Sequence, residues 1–444
     1  MRWTSWQLRA TDVHHGRATH PGVAGTDRRI PAVMATLDPA ADPALRNGRG
    51  HRGDDLRRLN TAAVMKHVFD HPGLSRSEVA LQLGLSAASV TKMVAQLLEA
   101  GLLRELAPLV GTQGRPRVPL QIDTGTPLVM GIHLGPRTTG VVLMDLGGSE
   151  HASVLVPHTG MPPEESMDLI VAAADELICE NTRGRVIIGT GIATGGIVNR
   201  AAGIIIDNPG AGWQNVDVIR LLSGRLPGPL ILENNARAAA QSELLYGHGQ
   251  RTNDFVLMVV TADIGSVMVD GGRIRSGFSQ TAGQIAHLSV DDGTRPCPCG
   301  RTGCLAVMAS DDAVADTAVE RGLQEKPNID EILFQAAEGE PGAIVLLEQR
   351  NRWVGRAAAQ LIDIHDPELL VVVGTPAESP LVFSSLVDEV ARRAQLGKRA
   401  AERVVLSTDH VFSLSLFAAS TLVAAVLADP LGIIGLAAPD PAES

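Results

Sequence analysis

Three cysteines and a histidine between positions 284 and 304 carry the densest chemistry in this chain, in the run QIAHLSVDDGTRPCPCGRTGC. In Cys297-Pro298-Cys299 both sulfurs can face one side of an extended segment, and Gly300 and Gly303 then turn the chain to bring in Cys304. With His287 the set is three thiolates and an imidazole, the donors of a closed tetrahedral zinc site that leaves no position for a substrate. A disulfide is the rival reading. It would leave one of the three clustered thiols unpaired, and nothing in the chain marks it for the oxidising compartments where disulfides persist. A structural zinc held by His287, Cys297, Cys299 and Cys304 is therefore expected.

The same stretch resembles the signature of the ROK family (repressors, open reading frames, sugar kinases), G-E-x-G-H, nine residues, then C-x-C-G-x-x-G-C-x-E. Here it reads Gly283-Gln284-Ile285-Ala286-His287, then Cys297 through Cys304, then Leu305 and Ala306. All four ligand positions match in type and spacing. The two acidic positions do not, being Gln284 and Ala306.

Elements must hold such a loop, and there is ample chain to build them. The protein has 444 residues, which predicts about three domains by length alone, and 45% hydrophobic with 20% charged residues is ordinary for a soluble globular chain. Charge divides unevenly. Residues 1–124 hold 16 Lys and Arg against 11 Asp and Glu, net +5, while the remainder is net −16. A basic head on an acidic body fits a polyanion partner. The N-terminal stretch is rich in Arg and His and lacks an apolar run, so a cytoplasmic protein is expected. The longest uncharged run, 411–428, reads as a buried helix rather than a membrane span.

Residues 1–50 read as a disordered leader, 51–124 as a DNA-binding domain, 125–438 as the body and 439–444 as a tail. From Leu56 the apolar spacing is helical until His71-Pro72-Gly73. Ser75-Arg76-Ser77-Glu78 is a capping box that opens a second helix ending at Gly84, and Ser86 caps a third. That third helix turns Val90, Val94, Leu97 and Leu98 inward. It leaves Ser86, Ala87, Ser89, Thr91 and Lys92 at its outer end, where short side chains let a helix N-terminus enter the major groove. Two short strands follow, at 101–105 and 118–122. Between them Gly114-Arg115-Pro116-Arg117 presents the Arg115 and Arg117 guanidinium groups to a minor groove. The pattern is a winged helix-turn-helix, and it resembles the N-terminal half of ROK repressors. Members that are only kinases lack this domain.

After residue 124, apolar runs alternate with helical stretches and Gly turns, which is an α/β pattern. The ROK resemblance covers nearly all of it and implies two actin- and hexokinase-like (ribonuclease H-like) lobes around a cleft, with the last helix returning to the first lobe. In ROK kinases two Gly-rich turns approach ATP phosphates and an aspartate takes the sugar proton. Here the first turn reads His133-Leu134-Gly135-Pro136-Arg137 and the second Thr261-Ala262-Asp263-Ile264-Gly265-Ser266-Val267. The catalytic E-N-D-A-N reads Glu233-Asn234-Asn235-Ala236-Arg237, and the amide of Asn235 cannot accept a proton. Loss of a general base alone costs roughly 10²–10⁴-fold.

A DNA-binding transcriptional regulator with a catalytically dead kinase-like body is expected, acting as a homodimer or homotetramer on a symmetric double-stranded operator, with no membrane attachment. A sugar kinase with a DNA-binding appendage and a ligand-independent regulator answering to a protein partner are the alternatives. By resemblance, effector-contacting positions fall on Asn208, Asn234, Asn235, Gln284 and His287, with Ala306 in place of an acid. Carboxylates have been lost from this set, and Arg137 and Arg237 stand nearby. The expected effector is a sugar or, by that change of charge, an anionic sugar derivative.

Overall fold

The computed structural model describes residues 53–109, 117–291, 295–378, 380–407 and 414–437. The leader 1–50, the wing tip Gly114-Arg115-Pro116 and the tail 439–444 therefore lie outside the described residues.

The chain opens with α1 (Gly53–Asp70), α2 (Arg76–Leu83) and α3 (Ala87–Glu99). The Ser75 amide donates to Glu78 Oε2 at 2.9 Å, closing the first turn of α2, and Gly84 ends that helix in the left-handed region at φ 64°. Ser86 Oγ accepts from the Ser89 amide at 3.1 Å and so caps α3, whose buried face is Val90, Met93, Val94 and Leu97. β1 (Leu103–Glu105) then pairs antiparallel with β2 (Leu120–Ile122), Leu103 opposite Ile122. Leu109 and Arg117, beyond β1 and ahead of β2, exchange backbone hydrogen bonds at 2.7 and 3.2 Å.

The body contains β3 (Pro127–Leu134), β4 (Thr138–Asp145), β5 (Glu150–Pro157), α4 (Pro163–Asn181), β6 (Val186–Thr194), β7 (Ile197–Asn199), β8 (Ile204–Asn208), β9 (Trp213–Asp217), α5 (Val218–Leu222), β10 (Leu230–Asn234) and α6 (Asn235–Tyr246). It continues with β11 (Phe255–Val260), β12 (Ile264–Asp270), β13 (Arg273–Ile274), α7 (Leu305–Ala309), α8 (Asp311–Glu320), α9 (Ile329–Ala337), α10 (Pro341–His365) and β14 (Leu369–Gly374). Last come α11 (Thr375–Glu378), α12 (Pro380–Arg393), α13 (Lys398–Ala401), β15 (Val404–Leu406), α14 (Leu414–Ala428) and α15 (Pro430–Ala437).

Two five-stranded sheets repeat one plan. The first has order β10-β6-β3-β4-β5 and the second β13-β12-β11-β14-β15, each an antiparallel meander continued by parallel strands. The central strands are covered on both faces, which is why they read as continuous apolar runs such as Phe255-Val256-Leu257-Met258-Val259-Val260. A three-stranded sheet, β7-β8-β9, extends the first lobe.

α14 returns to the first lobe and packs on β3, β4, β6 and α6. It comes so close that a Cβ on Gly131 would lie 2.1 Å from the Ser415 carbonyl oxygen, and one on Gly191 would lie 2.0 Å from that of Ala418. Among the described residues no single helix is long and apolar enough to cross a membrane; α14 and α15 would only do so together, and they meet at 116°. α1 packs on α14 and α15, so Val64, Met65 and Val68 share one hydrophobic core with Leu422, Val426 and Ile433. An Arg58–Asp429 ion pair closes the edge of that contact.

Candidate functional site

Three sites take shape on this frame. On the winged unit, Ser86, Ala87, Ser89, Thr91 and Lys92 are all exposed at the N-terminal end of α3. Thr91 Oγ1 donates to the Ala87 carbonyl at 2.7 Å and Ser86 Oγ donates to Ser89 Oγ at 2.8 Å, so neither hydroxyl projects far from the helix. Arg117 is exposed and ion-paired with Glu78 at the start of α2. The Glu78 carboxyl is held below the usual range by the Ser75 amide first, then by the Ser75 hydroxyl and Arg117. Arg115 lies outside the described residues.

The second site is the metal loop. Gly300 and Gly303 turn the chain at φ 86° and 65°, and a Cβ on Gly303 would stand 2.0 Å from the Asp291 carbonyl oxygen, so only glycine allows this crossing. Backbone bonds from Cys297 to Arg301 and from Val290 to Gly303 tie the two arms together. As a result the ligand atoms of His287, Cys297, Cys299 and Cys304 all lie within 4.8 Å of one another. Cys297 Sγ is 3.4 Å from His287 Nδ1, and Cys299 Sγ is 3.6 Å from Cys304 Sγ. A tetrahedron with metal–sulfur bonds of about 2.3 Å and metal–nitrogen bonds of about 2.0 Å has edges of roughly 3.5–3.8 Å, so the residues fit a zinc ion. The Arg301 amide and guanidinium lower the Cys299 thiol to about 6, while burial pushes Cys304 up to about 11. Two of the four donors, Cys297 and Cys304, are buried beneath the loop.

The third site is the cleft, formed where β10 ends and α6 begins. Asn234 caps α6, its Oδ1 accepting from the Ala236 amide at 2.9 Å, and its Nδ2 donates to the Gly196 carbonyl at 2.9 Å. Asn235 Nδ2 lies 3.3 Å from His133 Nε2, and its Oδ1 is buried with no hydrogen-bond partner. Burial first, and the neighbouring His158 second, lower His133 to about 4. The ring is neutral at physiological pH, and in its Nδ1-protonated tautomer Nε2 accepts from the amide. Glu233 is held between Arg237 Nε at 2.5 Å and Arg200 Nη1 at 3.3 Å.

Across the cleft, the Asp263 carboxylate reaches from the β11–β12 turn of the second lobe to the Gly196 amide of the first, at 3.2 Å. The space that remains among Asn234, Asn235, Arg237, Asp263 and Gln284 is about 20 Å³, room for roughly one water. Asn208 does not line it. Its Nδ2 donates to Thr194 Oγ1 at 3.0 Å and it faces a separate opening beside Trp213. Arg137 lines another opening, 3.4 Å from Asp312, so the structure does not bring it together with Arg237. Ala306 joins the metal loop, its amide donating to Ala286. Asp263 as an interlobe contact and Arg200 as a partner of Glu233 were not foreseen from the sequence. The Glu233–Arg237 pair joins residues only four positions apart, one at the end of β10 and the other in the first turn of α6.

The ROK family model matches residues 129–425. The chain is 26% identical over 348 residues, 76% of its length and 85% of the relative's, to the DNA-binding transcriptional dual regulator NagC of Escherichia coli. It is 31% identical over 331 residues, 70% of its length and 74% of the relative's, to a transcriptional regulator of Mycobacterium bovis. Among solved structures, a ROK family transcriptional regulator described as a homologue of the E. coli MLC protein superposes with a TM-score of 0.72 at 23% identity, covering 86% of this chain and 99% of that one. A ROK hexokinase from Thermus thermophilus covers 69% of this chain and 99% of its own, with a TM-score of 0.53 at 27% identity. The larger overlap with the regulator takes in the winged unit as well as the lobes, and with the family model spanning most of the body, the chain belongs to the ROK family.

Proposed function

We propose that this protein is a DNA-binding transcriptional repressor of the cytoplasm, with a DNA-binding domain at 51–124 and a catalytically inactive kinase-like body at 125–438 that senses a small effector. The observation that carries this reading is the pairing of an exposed α3 N-terminus with a body that has Asn235, bound to a neutral His133, where the resemblance places a kinase's aspartate. An amide facing a neutral imidazole supplies no base for a sugar hydroxyl. Names of relatives point the same way, since proteins named as transcriptional regulators or repressors match 70–76% of the chain.

In this reading α3 lies in a major groove with Ser86, Ala87, Ser89, Thr91 and Lys92 at base edges and phosphates, and Arg115 and Arg117 reach the flanking minor groove. One winged domain buries too little for tight, specific binding, so the protein acts as a homodimer or homotetramer on a two-fold symmetric site. Zinc sits in the set His287, Cys297, Cys299 and Cys304 and fixes the loop that carries Gln284. A sugar or anionic sugar derivative enters the cleft when the Asp263–Gly196 contact opens, meeting Asn234, Asn235, Gln284 and the ordered loop at His287, with Asn208 at its edge.

The test is selection of bound sequences from a random DNA pool, followed by titration at several salt concentrations. Recovery of a symmetric site with affinity falling steeply in salt supports the proposal. ATP-dependent phosphorylation of a hexose by the wild-type protein, with no sequence preference on DNA, would reverse it.

A further inference from the structure

A second cavity, of about 300 Å³, opens behind the cleft where the winged unit meets the body. Its polar wall is Lys66 of α1, Arg200 beyond β7, Glu233 and Arg237 at the β10–α6 junction, and Arg273 of β13; α6 and α14 supply an apolar flank. Four cations face one carboxylate there, in a body whose residues 125–444 are net −16. Glu233 already serves both Arg200 and Arg237. Lys66 leans on Asp70 one turn away at 2.5 Å, and Arg273 has no ion-pair partner among the described residues.

Arg237 is the clearest sign of a ligand site. It is only 7% exposed, its Nε is given to Glu233 and its Nη1 to the Gln280 carbonyl at 2.9 Å, yet Nη2 has no partner. A buried guanidinium nitrogen left unbonded is costly, and an arginine fork favours oxyanions with several acceptors. Arg237 is also the one residue that lines both this cavity and the cleft.

We propose that this cavity binds a small phosphate monoester, its dianion held by Lys66, Arg200, Arg237 and Arg273 and its organic part lying on the apolar flank. A phosphate's charge of about −1.5 to −2 and three acceptor oxygens match the excess of donors, where a single carboxylate would leave most of them idle. The volume is at the lower end for small-molecule sites, about 300–1,000 Å³, which suits a short ester. Because Lys66 belongs to α1 and the other cations to the body, the bound ester clamps the winged unit to the lobes. Only the consequence for DNA rests on the repressor reading; the binding itself does not.

The probes are inorganic phosphate and glycerol 3-phosphate, with glycerol and chloride at matched ionic strength as controls, titrated into the full chain by calorimetry and thermal shift. Both phosphates should bind saturably and glycerol should not. Lys66→Gln with Arg273→Gln, two exposed positions, should weaken that binding by about tenfold or more, while Asn235→Ala in the cleft leaves it unchanged. Glycerol 3-phosphate should also slow amide exchange in α1, and lack of that slowing would remove the clamp. Absence of saturable phosphate binding, or binding undiminished in the double variant, would overturn the site. Loss through Asn235→Ala alone would overturn it too, by putting the anion in the cleft. Phosphate binding as expected, in a protein with no DNA preference, would count against the repressor reading and not against this site.

Discussion

At the scale of single residues the chemistry turns on whether a site holds a proton. His133 is lowered to about 4 by burial and by His158, whereas in the unfolded chain it titrates near the ordinary value of about 6.5. As pH drops through that window the unfolded chain takes up a proton that the folded one refuses, so stability falls, and it is fully present above pH 6.5. His158, buried and lowered as well, adds to the same trend. His133→Asn should flatten this pH profile in thermal melts between about pH 4 and 6.5, and an unchanged slope would mean that His133 is not buried neutral. Asn235→Asp should do the opposite to the ring: a carboxylate in place of the amide 3.3 Å away favours the imidazolium and raises the His133 pKa, read by NMR titration. It should restore no kinase activity, because Pro136 and Asp263 stand where the resemblance places a kinase's phosphate turns. The metal ligands make a third case. One zinc per chain is expected by metal analysis, and Cys304→Ser should release it and loosen the loop around 286–306 while leaving the winged unit folded. Full zinc content in Cys304→Ser would exclude Cys304 as a ligand.

At the scale of elements, the sequence is readable where the signal is local. The Ser75 and Ser86 caps, the Gly84 stop and the two wing strands were visible because each depends on residues a few positions apart. The four metal-loop residues span only 18 positions and include the glycines that fold them together, so their convergence was visible too. What stayed hidden joins distant parts of the chain. The Asp263 contact with Gly196 spans 67 positions and the Arg58–Asp429 pair spans 371, and no periodicity marks either. In the sequence Asp263 is only one position of the second turn; its bond across the lobes depends on the fold. Within the winged unit the contact with DNA can be divided by type of residue. The exposed Arg117–Glu78 pair is worth about 0–1 kcal/mol, so Arg117 can leave Glu78 for the minor groove, where its charge counts on every sequence. Lys92→Ala and Arg117→Ala should each weaken binding across all sequences and reduce the salt slope by about one. Ser89→Ala should instead cost roughly 1–3 kcal/mol on the selected site and little elsewhere if it meets a base edge. Titrations of the three variants on selected and scrambled DNA distinguish the two classes, and equal losses on both DNAs in Ser89→Ala would move it to the phosphate contacts.

At the scale of the whole molecule, the DNA-binding unit is not a bead on a string. Its first helix shares a core with α14 and α15, and α14 in turn is pressed into β3 and β6 at Gly131 and Gly191, so a change in the lobes has a packed route to the winged unit. Two consequences can be measured. Gly191→Ala must push α14 off the sheet, since its Cβ would stand 2.0 Å from a carbonyl oxygen, and should cost roughly 1–3 kcal/mol or more. Val426→Ala tests the shared core more directly. Val426 is fully buried in the cluster that also contains Met65, Val90 and Leu97, and truncating a buried aliphatic side chain of this size costs about 2–4 kcal/mol. If the winged unit and the first lobe open together, that loss should appear equally in the amide-exchange protection of α1, α3 and β3, although the substitution lies more than 300 residues away from the first two in the chain. The second lobe, which has its own core around Val256, Met258, Leu370 and Leu386, should keep its protection. Protection that falls in β3 but not in α1 and α3 would show that the winged unit opens independently of the body, and the packed route between effector and DNA would have to be abandoned.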